Sequence, residues 1–182
     1  MKILETPIAD LFVVEPTVYS DSRGYFLETY NEDRFKSAGI LYNFVQDNQS
    51  YSKVGTLRGI HFQTSPMEQA KLVSAAYGKV LDVVVDLRKT SRTYKKTFTV
   101  ELSSENCRQL MVPPGFGHAF VCLSEFAIFS YKCSQLYSRE HDAGIRFDDP
   151  ELKIEWPFPL DKMIFSDKDR SLPYLEEIEA RL

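Results

Sequence analysis

The chain has 182 residues, 43% apolar and 13% aromatic, enough to bury one sizeable core and too apolar for a disordered segment. Its 22 basic and 26 acidic residues leave a net charge of −4, without the basic excess of a nucleic-acid-binding domain. No apolar run reaches membrane-spanning length, so a membrane protein of the helical kind is excluded.

In chain order, the first segment, MKILETPIAD, has no apolar leader core, and the expectation is a cytoplasmic protein. Residues 13–15 and 25–30 read as strands. Asn31 caps a short helix that runs through Ala38 and is closed by Gly39. Residues 44–51, Leu57–Gln63 and 69–76 read as further strands. Next, Leu81, Val83, Val85 and Leu87 fall on one strand face, with Asp82, Asp86 and Arg88 on the other. Thr97–Ser103 alternates polar and apolar without a break. The run from Val112 to Phe120, with two prolines and two glycines, is a stiff turn entering a strand. Phe126–Cys133 is another strand. Residues 156–159, rich in proline, read as a loop over the barrel surface. Residues 174–182 place Leu175, Ile178 and Leu182 on one side of a last short helix. Short strands with Gly, Pro, Asn and Ser between them predict an all-β sandwich or barrel, one domain of jelly-roll type over 1–182 with a few short helices.

The chemistry-bearing residues are few. Cys107, Cys122 and Cys133 form no CxxC pair and read as reduced thiols. The three histidines, His61, His118 and His141, contain no His-x-His pair, which makes a metal site on them unusual. Histidine as a metal-free proton carrier, with an ordinary pKa of about 6.5, is then the leading idea. Taken singly, every candidate has an ordinary structural reading. His61 is a core histidine of a strand, His118 a barrel corner, and Lys71 a solvated strand end. Tyr131 and Tyr137 are packing residues, and Asp169 belongs to a charged loop. Strict alternation puts Arg58 and His61 on opposite faces, unless Gly59 between them makes a bulge.

Their order along the chain carries more. Asp21-Ser22-Arg23-Gly24-Tyr25-Phe26 with Glu28, Gln46-Asp47-Asn48, Arg58-Gly59-Ile60-His61-Phe62-Gln63 and Gln69-Ala70-Lys71-Leu72-Val73 come first. Asp82-Val83-Val84-Val85-Asp86-Leu87-Arg88, Pro114-Gly115-Phe116-Gly117-His118-Ala119-Phe120, Tyr131-Lys132, Asp148-Asp149-Pro150, Trp156-Pro157 and Ser166-Asp167-Lys168-Asp169 complete the set. This series resembles the dTDP-4-dehydrorhamnose 3,5-epimerase family over about residues 6–175. The resemblance implies a cupin-like jelly roll (a double-stranded β-helix) that works as a homodimer on a dTDP-sugar, with no metal and no organic cofactor. It implies inversion at C3 and C5 of dTDP-4-dehydro-6-deoxy-D-glucose. It makes His61 the base, Asp169 its orienting carboxylate and Tyr131 the proton donor. Lys71 matches the lysine near the C4 oxygen. Arg23, Phe26, Glu28, Gln46, Asn48, Arg58, His118, Tyr137 and Lys168 match further substrate contacts, with Phe26 on a strand that packs on the partner subunit. Two positions depart from the pattern: Asp142 stands for the usual glutamate, and Phe147 for the common tryptophan.

The chemistry explains the set. A C–H bond beside a C4 ketone loses its proton to a neutral base because the carbanion delocalises onto oxygen. The enolate oxygen wants a fixed donor, and inversion wants the proton returned from the opposite face. A monoepimerase of the same family, a metal-dependent cupin oxygenase and a non-catalytic sugar-binding jelly roll remain open alternatives.

Overall fold

The computed structural model describes residues 1–181. Leu182, expected on the last helix, lies outside the described residues. Strands β1 (Lys2–Glu5), β2 (Phe12–Glu15), β5 (Gln46–Lys53), β7 (Lys71–Tyr77), β10 (Gln109–Val112) and β12 (Phe126–Cys133) form a six-stranded sheet in the order β1-β2-β10-β7-β12-β5. Strands β6 (Leu57–Gln63), β8 (Lys79–Asp86), β9 (Thr97–Ser103), β11 (Phe116–Cys122) and β13 (Asp142–Gly144) form a second sheet, ordered β13-β6-β11-β8-β9. All the pairings in both sheets are antiparallel. The architecture is the expected cupin-like jelly roll. A separate hairpin, β3 (Val18–Asp21) with β4 (Gly24–Leu27), stands off both sheets.

Three apolar layers hold the sheets. Val73, Leu110, Val84, Phe120 and Phe129 fill the space between them. On the outer face of the five-stranded sheet, Ile60, Val83, Val85 and Ala119 pack against Ile145, Leu152, Leu175 and Ile178. On the outer face of the other, Val14, Leu72 and Met111 pack against Phe35 and Ile40. Each such fully buried side chain contributes about 1.5–3 kcal/mol of transfer free energy. Helix α1 (Glu32–Ser37), capped by the Asn31 side chain, delivers Phe35 to the third layer.

The alternation in β8 therefore separates two buried faces rather than core from water. Val83 and Val85 face the outer layer, whereas Asp82 and Val84 face the barrel interior. Asp82 and Asp86 are both fully buried. Asp86 is held at the barrel end by Arg88, Ser91 and Thr93.

Strands β9 and β12 have the expected bounds. Residues 25–30 stop as strand at Leu27, because the turn at Asp21–Gly24 pairs β4 with β3 and nothing continues the ladder. The start of 44–51 slips to Gln46, since Phe44 packs edge-on against Tyr30 in the outer layer instead. The charged run after Ser166 is not a solvated loop. It forms helix α2 (Asp167–Arg170), with Ser166 as its cap and Asp169 buried. The last expected helix is shortened to α3 (Leu175–Ile178), which buries Leu175 and Ile178 as the spacing predicts. Residues 156–159 are the surface crossing expected of them, and the Trp156 indole donates to Phe147 O at 2.8 Å. Phe147 itself stacks on Phe165 at 3.9 Å between centroids and is buried, a packing role.

Candidate active site

The site is built where β6 departs from regular pairing. In its ladder with β11, His61 faces His118, but the next register point is Arg58 against Phe120. Gly59 and Ile60 thus occupy the space opposite Ala119, a bulge. Directly paired residues share a sheet face. Phe120 points into the barrel, so the bulge turns both Arg58 and His61 inward. Gly59 makes this close approach with φ at 132°. A Cβ there would lie 2.4 Å from Ala119 Cβ and 2.7 Å from His118 O.

The opposite sheet answers with its own inward residues. Tyr131 pairs with Val73 and Asn48, and Cys133 pairs with Lys71 and Gln46, so all four polar residues share the face that packs on the core. Lys71 opens its strand as expected, but β7 is interior to the sheet and the side chain points in rather than to a solvated edge. A cavity of about 420 Å³ lies between the sheets, bordered by His61, Lys71, Tyr131, Gln46 and Asn48. Tyr137, Asp142 and Lys168 close its rim.

His61 Nε2 lies 2.6 Å from Asp169 Oδ1. The Ser166 hydroxyl donates to the other carboxylate oxygen at 2.7 Å, while the Asp169 N–H donates back to Ser166 Oγ at 3.1 Å. Burial works against the Asp169 charge, but the hydrogen bonds from His61 and Ser166 outweigh it and hold the carboxyl below its ordinary value. A second pair stands behind the first. His118 Nε2 lies 2.9 and 3.1 Å from the two oxygens of Asp82, with both residues buried. Burial pushes the Asp82 carboxyl up, with His118 and Lys71 opposing. Of the two histidines, His61 is the one with access to the cavity, its side chain 32% exposed against 9% for His118.

Burial also lowers the Lys71 ammonium from its ordinary value, with Cys133, Asp82 and Asp142 pulling the other way. The Tyr131 phenol is pushed up by burial and by Cys133, against the guanidinium of Arg58, and so stays protonated at neutral pH. Arg58 is exposed, near enough to Tyr131 for its charge to act on the phenol, and donates to Ser52 Oγ at 3.0 Å and to Tyr51 O at 3.1 Å. At the rim, Asp142 Oδ2 accepts from the Tyr137 hydroxyl at 3.1 Å and from Lys168 Nζ. The loop carrying Tyr137 is pinned by Gln46 Oε1 and Gln63 Oε1, which accept from the N–H groups of Tyr137 and Ser138.

Three sequence-derived candidates are not gathered here. Arg23, Phe26 and Glu28 belong to the β3–β4 hairpin and the residue just after it. Arg23 is ion-paired with Asp21, Glu28 with Arg34, and Phe26 is 69% exposed. His141 bonds Ser138 Oγ outside the cavity. Conversely, Asp82 and Ser166 were unremarked as site residues. Asp82 is signalled by an acid inside an otherwise apolar strand, and Ser166 by the cap pattern Ser-x-x-Asp. Among the described residues, no group of three His, Cys, Asp or Glu side chains is arranged to hold a metal ion, and no helix is long and apolar enough to cross a membrane.

Known proteins share both the sequence and the shape. The family described as dTDP-4-dehydrorhamnose 3,5-epimerase matches residues 5–177. A relative of that name from Methanothermobacter thermautotrophicus is 46% identical over 177 residues, 97% of this chain and 95% of its own. The crystal structure of a dTDP-4-dehydrorhamnose 3,5-epimerase from Elizabethkingia anophelis superposes with a TM-score of 0.93 at 48% identity, covering 97% of both chains. That of a dTDP-6-deoxy-D-glucose-3,5-epimerase from Legionella pneumophila, in complex with dTDP-4-keto-L-rhamnose, gives 0.94 at 43% identity, covering 98% of this chain and 95% of the other. The interior His–Asp pair, the lysine and the tyrosine thus lie in a chain that belongs to the dTDP-4-dehydrorhamnose 3,5-epimerase family.

Proposed function

We propose that this protein inverts C3 and C5 of dTDP-4-dehydro-6-deoxy-D-glucose to give dTDP-4-dehydro-L-rhamnose. The observation that carries the mechanism is the placement of His61 and Tyr131. They stand on opposite sheets and border one cavity, with Lys71 inside it. His61, held by Asp169, takes the proton from carbon beside the C4 ketone. Asp169 stabilises the imidazolium that results, its carboxyl ionised well into acid. Lys71 donates to the C4 oxygen as the enolate forms, and a lysine nitrogen carries an N–H in either protonation state. Tyr131, still protonated, returns a proton from the other side. Both carbons flank the same ketone, so one base and one donor serve two inversions once His61 has given its proton to solvent, Tyr131 has regained one from it and the sugar ring is re-presented.

The remaining candidates bind. Arg58 suits the pyrophosphate, as an exposed guanidinium close to Tyr131. Gln46, Asn48, His118, Tyr137, Asp142 and Lys168 line or back the space left for sugar and nucleotide. Arg23, Phe26 and Glu28 act in a second copy of the chain. Their hairpin projects Tyr19, Tyr25 and Phe26 into solvent, each more than half exposed, which favours a homodimer in which it closes the neighbouring site. The reaction takes place in the cytoplasm without metal or organic cofactor, in keeping with three free thiols.

The test is the proton NMR spectrum of the product from dTDP-4-dehydro-6-deoxy-D-glucose. Ring coupling constants of the L-rhamno configuration are expected. Inversion at one carbon alone makes the protein a monoepimerase. Binding without any change makes it a sugar-nucleotide-binding jelly roll.

A further inference from the structure

Asp82 has no part in the proton transfers above, yet it is a fully buried carboxylate within the same barrel. It enters from β8, and its register opposite Phe120 aims it at the face that carries His61, Arg58 and His118. His118 meets both of its oxygens through Nε2, a contact that fixes the orientation of the ring and leaves Nδ1 facing elsewhere. One hydrogen-bonding histidine is poor compensation for a buried negative charge. Two cations reach this interior, Arg58 on the same face of the same sheet, already donating to Ser52 Oγ and Tyr51 O, and Lys71 from the facing sheet. No hydrogen bond or ion pair to the Lys71 ammonium forms among the described residues, and its charge and that of Asp82 each favour the ionised form of the other.

We propose that Asp82 is a positioning residue, a buried carboxylate that orients His118 and supplies the counter-charge that keeps the Lys71 ammonium inside the barrel. This rests on the proposed role of Lys71 at the C4 oxygen. Other groups also face Lys71. Cys133 lies beside it on β12, Asp142 stands on β13, and His61 and Tyr131 share the cavity. Lys168 and Tyr137 are at the rim. Of the anions among them, Asp142 is shared with Lys168 and the Tyr137 hydroxyl, whereas Asp82 is committed to the interior.

The experiment is a carbon NMR titration of protein labelled at lysine Cε, with the Lys71 resonance identified by its loss in Lys71→Arg. In Asp82→Asn the Lys71 signal is expected to titrate about one pH unit or more below wild type, the usual effect of removing a near opposite charge. The alkaline limb of the kcat profile should move down with it, and Asp82→Glu should restore part of both. A Lys71 titration unchanged in Asp82→Asn overturns the proposal, even if thermal stability falls. Should Asp82→Asn not fold, Lys71→Met reads the same interaction from the other end. The Asp82 carboxyl carbon must then titrate at higher pH than in wild type, and an unchanged value overturns the proposal. A wild type that turns over no 4-keto sugar nucleotide defeats the function proposed above, while the NMR titrations still decide this point.

Discussion

At the scale of single residues, the His61–Asp169 pair shows how position outweighs residue type. Asp169 sits in a run of charges, Ser166-Asp167-Lys168-Asp169-Arg170, that looks solvated in one dimension. Four residues of helix, capped by Ser166, are enough to turn one of those charges inward onto a histidine more than a hundred positions away. Local pattern holds no trace of that contact, so only the resemblance to a family pointed at it. The pair also makes a stability statement. The native Asp169 carboxyl lies below its ordinary value, so its contribution is fully present above the unfolded pKa of about 3.9 and disappears as pH falls through the lower native one. Asp169→Asn should therefore cost about 1.5–3 kcal/mol at pH 7. Urea melts at pH 7 and near pH 3 should show that difference shrinking with acid, and a difference that is constant or grows toward pH 3 contradicts the pairing.

At the scale of elements, the β6 bulge decides which side chains meet. Alternation alone separates Arg58 from His61. Gly59 marked the place where the pattern is able to break, but a glycine in a strand does not say that it does. The break is settled by β11, whose Ala119 approaches so closely that no Cβ fits at residue 59. Gly59→Ala should thus destabilise the fold by about 1–3 kcal/mol, the usual cost of overpacking. It should also cost activity out of proportion, since His61 and Arg58 would no longer share a face. Thermal melts with steady-state kinetics check this, and a stable, fully active variant refutes the role of the bulge. Other elements were invisible for simpler reasons. β1, β10 and β13 are three or four residues long, too short to show a period; β10 and β13 pair with the seven-residue β7 and β6, and β1 pairs with the equally short β2. Strands β9 and β12, seven and eight residues long, were legible to the residue.

At the scale of the whole molecule, the jelly roll follows from many short strands punctuated by turns, and the sequence carries that much. It does not carry the relation between the cavity and the β3–β4 hairpin, whose Tyr25 and Phe26 border a second groove, of about 700 Å³, that also reaches Asn48 and Tyr131. On the proposed function, Arg23 and Phe26 serve as ligand contacts of a second copy. Phe26→Ala should weaken the dimer and raise KM, read by light scattering and kinetics together. A monomeric wild type with ordinary activity, or a variant unchanged in both, would show that the hairpin serves no neighbouring site. The central claim is that one histidine inside the barrel removes both protons, and its most direct measurement is solvent deuterium entry into dTDP-4-dehydro-6-deoxy-D-glucose, followed by NMR in D₂O for wild type and His61→Ala. Wild type should take up deuterium at C3 and at C5, and His61→Ala at neither; exchange persisting at either carbon in the variant would contradict His61 as the base there.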